Sequence, residues 1–380
     1  MAKYDLVLKG GHVVDPAQNI DRTMDVAFLA GKVAAIEKTI AVPAGVDARD
    51  VSGMIVTPGL IDMHTHVYWG GTSLGIDAED FCRKSAVTTA VDTGSAGPGN
   101  FAGFRKHVIE KSAVRILAYL HISHAGIFGF SNRIMVGESE ELRLMDPETA
   151  VEVAQANKDL IVGIKVRLGR WASGIHGMAP FEHALQVAEE TNLPMMVHID
   201  DPPPSYQQVV ERLRPGDVLT HCFRPFPNTP LTGDHRVRPE VLAARQRGVF
   251  FDVGHGMGSF SFKVARLMME NGFNPDTISS DVHALCINGP AFDLVTTLSK
   301  FLNLGMPFAE VIRASTQNAA LALSRPELGG LRPGAAGDAA VLSVDEGRFD
   351  YIDTVGEKLI GERKINVRGV VLAGKWWHPV

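Results

Sequence analysis

Four histidines and one aspartate stand where apolar, strand-like runs of this chain end. His64 and His66 lie two residues apart in the first such run, and His198, His221 and Asp281 end later ones. Because side chains alternate along a strand, the first two imidazoles point to the same side and can share one ion. Imidazole and carboxylate ligands suit zinc best, with manganese, iron or cobalt as alternatives. The pattern therefore predicts a metal site.

Lys165 is the unusual member of this set because it lies inside the apolar run IVGIKVRL. A basic residue buried in a strand is costly unless its charge is neutralised or paired. A desolvated lysine can lose its proton and react with carbon dioxide to form a carbamate, an anion whose two oxygens can bridge two cations. Together with the four histidines and Asp281, Lys165 predicts two divalent metal ions, roughly 3.5 to 4 Å apart.

The elements that must position these groups follow a β/α pattern. Eight apolar, β-rich runs alternate with amphipathic stretches, as expected for parallel strands joined by crossover helices. Eight strands close a (β/α)8 barrel of the TIM type, which usually takes roughly 250 residues and carries its active site at the carboxyl ends of the strands. The runs begin at Ile55, Val87, Val114, Leu160, Pro194, Asp217, Val249 and Thr277.

The two ends of the chain have a different sequence pattern from the middle. Both consist of short alternating runs separated by Gly, Asp and Asn, which is typical of antiparallel strands and turns. We therefore predict an α/β protein in which residues 56–330 form the barrel. A small β-sandwich is expected to be built from both termini, residues 1–55 and 331–380.

Composition restricts the classes of partner. The chain has 380 residues, 45% of them hydrophobic, and a formal charge of −6, which gives no broad attraction to nucleic acid or an anionic membrane. No run approaches the ~18 apolar residues of a membrane span, and the amino terminus does not resemble a signal peptide. We expect a cytoplasmic protein with a small-molecule substrate and reduced thiols at Cys82, Cys222 and Cys286, with a homo-oligomer left open.

The ordered set of motifs closely resembles the amidohydrolase superfamily. The resemblance rests on the entry PGLIDMHTH, a strand lysine, two single histidines, a strand-terminal aspartate and the tail STQNAALALSRPELGGLRPGAAGDAAVL. It implies a carboxylated Lys165, with His64, His66, His198, His221 and Asp281 as the other metal ligands. The dihydroorotase-like branch, including its deacetylases, is the most similar. Dihydroorotases usually continue the HxH motif with an arginine, whereas this chain reads His66-Val67-Tyr68-Trp69.

The resemblance and the charges together predict a hydrolase. A hydroxide between two metals is a nucleophile near neutral pH, and it would attack an amide or ester carbonyl. Asp281 is the predicted catalytic residue, because a carboxylate at this position can take the proton and pass it to the leaving nitrogen or oxygen. Within this class, the resemblance favours deacetylation of N-acetyl or O-acetyl amino- or hydroxy-acid derivatives.

Three alternatives remain at this stage. The first is a cyclic amidohydrolase of the dihydroorotase type. The second is a heterocycle deaminase, but such enzymes often place a glutamate shortly after the histidine of strand six, and His221 is followed by no acid before Asp234. The third is a non-catalytic assembly protein of the dihydropyrimidinase type, which the retention of all six groups disfavours.

Three further residues are candidate substrate contacts. His283 shares a strand face with Asp281, His255 closes the seventh run, and Arg224 could bind a substrate carboxylate through its fork of donors. Five more side chains near predicted strand ends or in the long loop are left open between site and structural roles: Trp69, His121, His124, His176 and Phe226.

Overall fold

The computed structural model describes residues 4–377, which form 15 strands and 10 α-helices. The strands are β1 (Leu6–Asp15), β2 (Ile20–Leu29), β3 (Lys32–Glu37), β4 (Asp47–Asp50), β5 (Ile55–Pro58), β6 (Leu60–Thr65), β7 (Val87–Thr93), β8 (Arg115–His121), β9 (Ile161–Leu168), β10 (Met195–Ile199), β11 (Val218–Leu219), β12 (Phe250–Phe251), β13 (Ala339–Ile352), β14 (Lys358–Leu372) and β15 (Lys375–Trp376). The helices are α1 (Ala78–Ser85), α2 (Phe101–His107), α3 (Pro147–Ala156), α4 (Ala179–Thr191), α5 (Tyr206–Val210), α6 (Pro239–Gln246), α7 (Phe262–Glu270), α8 (Leu294–Asn303), α9 (Phe308–Ala314) and α10 (Gln317–Ala322). Short 3-10 turns lie at Ile109–Lys111, Leu142–Leu144, Gly174–His176 and Pro326–Leu328.

A curled parallel sheet carries the predicted site residues. Its seven strands follow one another in chain order from β6 to β12, and each neighbouring pair is parallel. Every residue of β6, β7 and β10 is buried. Helices cover one face of a parallel sheet and side chains fill the other, which explains the nearly unbroken apolar runs.

Several helices begin where a short polar side chain can satisfy free backbone N–H groups. At each of five helices, an Asp or Ser at the N-cap accepts a hydrogen bond from the third residue of the helix. Ser205 forms a complete capping box with Gln208. The caps are Asp77 of α1, Asp146 of α3, Ser205 of α5, Ser261 of α7 and Asp293 of α8.

The run from Thr277, predicted as the eighth strand, is not a regular strand. It forms single parallel bridges on both sides, Thr277 with Asp252 and Val282 with Thr65. Asp281 has a left-handed φ of 48°, which interrupts an extended strand. The N–H of Ser280 donates to the side chain of Asp62 rather than to a neighbouring strand. The segment therefore connects the β12 and β6 edges without forming a full ladder.

The run from Ile55 divides into two strands that join different sheets. Residues of β5 pair with β1 and β13, whereas β6 pairs with β7. Gly59 separates the two strands, and a Cβ there would lie 2.1 Å from Oγ1 of Thr88. Only glycine fits this close approach, so the chain can pass from one sheet to the other at this point.

Both ends of the chain meet in one mixed sheet of eight strands. Its order is β15-β14-β13-β5-β1-β2-β3, with β4 paired to β1. One face packs an apolar cluster that includes Leu8, Val26, Val341 and Val371. The sheet thus combines residues 6–58 with residues 339–376. The domain limits at 55 and 330 and a two-layered sandwich stay predictions.

Two sequence-level expectations about the chain can be compared directly with the structure. Cys82, Cys222 and Cys286 are buried and form no disulfide. Within residues 4–377, no helix has the length and apolar character needed to cross a bilayer.

Candidate metal centre

Six predicted ligands converge at the carboxyl end of the parallel sheet. Asp281 lies between the two histidines of the HxH pair, because its Oδ1 is 3.3 Å from Nε2 of His64 and 3.3 Å from Nε2 of His66. One ligand atom from each of these three buried residues lies within 4.8 Å of the other two. These three residues could hold one cation.

The second pair of histidines adjoins the first. The rings of His198 and His221 are 4.5 Å apart between centroids and nearly perpendicular, at 87°. The His221 ring is also 5.2 Å from that of His64. Nε2 of His198 is buried and has no hydrogen-bond partner in the part of the chain that the structure describes. The four imidazoles therefore form one continuous cluster.

Hydrogen bonds behind the cluster determine which ring nitrogens face the cavity. Oγ1 of Thr220 gives its only proton to Oδ2 of Asp252, 2.8 Å away, so it must accept from Nδ1 of His64 at 2.8 Å. Nδ1 of His221 is 2.7 Å from the carbonyl of Gly254, which can only accept. Both rings thus carry the proton on Nδ1, and their Nε2 lone pairs are free to bind a cation.

Burial holds the cluster in the protonation states that cations require. Desolvation lowers the pKa of His66 to about 3, and it lowers the pKa values of His64, His198 and His221 well below their ordinary range. Desolvation also raises the pKa of Asp281 to about 6. At neutral pH the imidazoles are uncharged, and most of the Asp281 population is a carboxylate.

Lys165 lies on β9 within the same cluster. It is 1% exposed, and its Nζ has no hydrogen-bond partner among residues 4–377. Burial lowers the pKa of Lys165 to about 7, so a large fraction is the neutral amine that reacts with carbon dioxide. Gly94 makes room for the lysine, since a Cβ there would lie 2.7 Å from its Cγ. The unpaired nitrogens and the donor set therefore fit two divalent cations and a carbamate.

A cavity of about 230 Å³ opens onto these groups. Leu74, Ile127, Phe130, Met135 and Trp171 supply part of an apolar wall. The charged part of the wall includes Arg167, Asp200 and Arg224. A cavity of this size and mixed polarity suits a small molecule with one apolar and one anionic part.

The three predicted substrate contacts differ in their placement. His283 lines the cavity, and its ring centroid is 6.0 Å from that of His66. Arg224 also lines it, but Nη1 donates to the carbonyls of Asp200 and Pro227, so part of its guanidinium is already engaged. His255 is buried outside the cavity wall, and its ring nitrogens face Gly256 and Lys300.

The five residues left open by the sequence all lie outside this cavity wall. His121 is buried with Nε2 3.2 Å from Oε1 of Glu138, and Ser123 donates its N–H to Nδ1. Trp69 and Phe226 are exposed. His124 lies in a turn and His176 ends the 3-10 turn Gly174–His176, and neither lines the cavity.

Sequence reasoning missed several cavity residues. Arg167 follows Lys165 by two positions on β9, so strand alternation places both on one face. Asp200 follows His198 by two and comes directly after the end of β10, so the same alternation, continued by one residue, predicts the same side. This two-residue spacing is visible in the sequence, so both residues could have been predicted from it. The apolar residues Phe130, Met135 and Trp171 lie in irregular segments, where no periodic pattern indicates the path of the chain.

Comparisons with known proteins point to one family, but the similar proteins are named for different reactions. The sequence profile of the amidohydrolase family matches residues 55–216 and 257–377. A deacetylase of Brucella anthropi is 37% identical over 357 residues, which are 94% of this chain and 88% of that protein. The crystal structure of a dihydroorotase matches with a TM-score of 0.90 and 32% identity over 98% of both chains. The crystal structure of an adenine deaminase matches with a TM-score of 0.91 and 28% identity over 99% of this chain and 100% of the other.

Proposed function

The chain belongs to the amidohydrolase family, and we propose that it is a binuclear metal-dependent deacetylase of small N-acetyl or O-acetyl acids. The observation that carries this proposal is the convergence of six metal-binding groups on one cavity of about 230 Å³. The deacetylase of Brucella anthropi, similar over 94% of the chain, supports the choice of acyl group.

We assign the ligands to two neighbouring positions. His64, His66 and Asp281 would hold one cation, and His198 and His221 the other, with a carbamate on Lys165 shared between them. Zinc suits these nitrogen and oxygen donors best, with manganese, iron or cobalt as alternatives. When bound, such cations lower the pKa of a water molecule and polarise the acyl carbonyl.

Asp281 is the group that moves the proton. Its carboxylate lies against both imidazoles of the HxH pair, and its N–H donates to the carbonyl of His64 at 2.7 Å, so the end of β6 holds both its side chain and its backbone. A carboxylate in this position can accept a proton from the attacking water. It can then pass that proton to the leaving nitrogen or oxygen.

Arg167 is the proposed anchor for a substrate carboxylate. Nη1 donates to Oε2 of Glu138 at 2.9 Å, and the guanidinium lies 5.1 Å from the ring centroid of Phe130. These contacts hold the side chain in the cavity wall while leaving other N–H donors for a ligand. A positively charged anchor beside an apolar wall suits an N-acetyl amino acid or an O-acetyl hydroxy acid with an apolar side chain.

Hydrolysis of a cyclic amide is the second candidate function. It is supported by the dihydroorotase structure, which is 32% identical over 98% of both chains. Dihydroorotases usually grip the substrate carboxylate with an arginine after the HxH motif, and this chain has Val67 and Tyr68 there. Arg167 would have to supply that contact from another strand, so we rank this function second.

A substrate panel tests the proposal. The protein, loaded with zinc, manganese or cobalt, is assayed with N-acetyl amino acids and O-acetyl hydroxy acids of both enantiomers, with dihydroorotate and with adenine. We expect acetate release that is lost in metal-stripped protein and restored by added metal. Ring opening of dihydroorotate or ammonia release from adenine, without acetate release, would refute the deacetylase assignment.

A further inference from the structure

The turn Gly254-His255-Gly256, which follows β12, contacts two residues of the candidate centre. The carbonyl of Gly254 accepts the proton of Nδ1 of His221 at 2.7 Å. A Cβ on Gly254 would lie 2.7 Å from that same nitrogen, and a Cβ on Gly256 would lie 2.3 Å from Oδ2 of Asp281. Both glycines have a positive φ, of 48° and 56°. The backbone of this turn therefore packs directly against one ligand and the proton-transfer group.

The side chain of His255 supports the turn and does not line the cavity. It is fully buried and stacks on Phe260, with ring centroids 4.6 Å apart and an angle of 26° between the planes. Nδ1 is 3.0 Å from the carbonyl of Gly256, so this nitrogen carries the ring proton. Nε2 is therefore an acceptor, and Nζ of Lys300 lies 2.7 Å from it.

Lys300 connects the turn to two other parts of the protein. It is fully buried in α8, and its Nζ also donates to the carbonyls of Pro290 and Ile352, each at 2.8 Å. Three acceptors match the three N–H groups of an ammonium. Burial lowers the pKa of Lys300 to about 7, and the carboxylates of Asp353 and Asp293 oppose that shift. One side chain thus ties the turn to the loop after Asp281 and to β13.

We propose that His255, held by Lys300, is a positioning residue for the metal centre. By holding the Gly254 carbonyl in place, it keeps the proton of His221 on Nδ1 and directs the Nε2 lone pair into the cavity. This inference rests on the proposed metal centre, in which His221 is a ligand. It also replaces the predicted substrate contact of His255 with an indirect role, because the ring points to α8 rather than to the cavity.

Two variants and one control test the proposal. His255→Phe keeps an aromatic ring on Phe260 but removes both nitrogens, and Lys300→Met keeps the alkyl chain but removes the donor. Lys263→Met is the matched control, since Lys263 is exposed on α7. We expect each test variant to bind the zinc ion at the His198 and His221 position roughly 10- to 100-fold more weakly. This is the usual effect of losing a group that orients a ligand. The double variant should match the single ones, because both changes act through the same turn.

The tautomer of His221 gives a readout that does not depend on activity and that begins with the wild-type protein. Nitrogen-15 chemical shifts of the metal-free wild-type protein should show the His221 proton on Nδ1, and this preference should weaken in folded His255→Phe. A proton on Nε2 in the wild type would overturn the inference even if the variants fail to fold. The inference would also be overturned if the folded variants bound both zinc ions as tightly as the wild-type protein does. Wild-type protein that binds no metal would instead refute the proposed function.

Discussion

Thr220→Val tests how much the centre depends on the hydrogen bonds behind its ligands. Oγ1 of Thr220 accepts from His64 and donates to Asp252, each at 2.8 Å, and valine replaces this hydroxyl with a methyl group of similar size. The change leaves the buried Nδ1–H of His64 without its acceptor. Oδ2 of Asp252 loses one of its two donors but keeps Ser279, and Thr277 still donates to Oδ1. Loss of such a group typically weakens metal binding about 10- to 100-fold, or roughly 1.4 to 2.7 kcal/mol.

The assay is competition for zinc against a chromogenic chelator, with thermal unfolding of the metal-free protein measured in parallel. Thr220→Ser is the matched control because it keeps the hydroxyl and removes only a methyl group. We expect the serine variant to bind zinc nearly as the wild type does, and the valine variant to bind it at least 10-fold more weakly, a difference taken from the usual effect of such groups. Equal affinity of the valine variant and the wild type would refute the role given to this hydroxyl.

Three further predictions address the ligand, the substrate anchor and pH. Lys165→Ala should lose metal and activity, with partial rescue by short carboxylic acids that replace the carbamate; retained activity without them would contradict a bridging role. Arg167→Met should lower kcat/KM for acetylated acids roughly 10- to 100-fold, as expected for a hydrogen bond to a charged group, whereas the corresponding acid amides should lose little. Burial raises the pKa of Asp62 from 3.8 to about 7, so the folded state binds the proton more tightly than the unfolded state does, and stability should fall as pH rises through that window. In the metal-free protein this contribution is at most about 4 kcal/mol, and urea unfolding at pH 5 and pH 7.5 should show a smaller pH dependence for Asp62→Asn than for the wild type.

The residues at strand ends could be placed from the sequence because two simple regularities locate them. Parallel strands deliver their carboxyl ends to one edge of the sheet, and alternation sets the side to which each residue points. These regularities bring His64, His66, Lys165 and His198 together without knowledge of any loop. The same reasoning applies to Arg167 and Asp200, which lie two residues beyond Lys165 and His198.

Other features depend on contacts between distant parts of the chain. The run from Thr277 has the composition of a strand, but Asp62 takes the N–H of Ser280 and Asp281 turns to a positive φ, and neither event is encoded locally. The ring of His255 bonds to Lys300, 45 residues later, so its distance from the cavity could not be deduced from strand position. Local periodicity predicts which face a residue occupies, but not which distant side chain completes its hydrogen bonds.

Two nitrogen atoms of the candidate centre lack a hydrogen-bond partner among the protein groups of residues 4–377, and both residues line the cavity. These atoms are Nζ of Lys165 and Nε2 of His198, and both are buried. By contrast, Nδ1 of His64 and Nδ1 of His221 are both hydrogen-bonded on the side away from the cavity. Desolvation also favours the neutral amine and imidazoles, whose lone pairs are then free. The nitrogens without a protein partner are those that a divalent cation or a carbamate would use, which is the arrangement expected of a functional site.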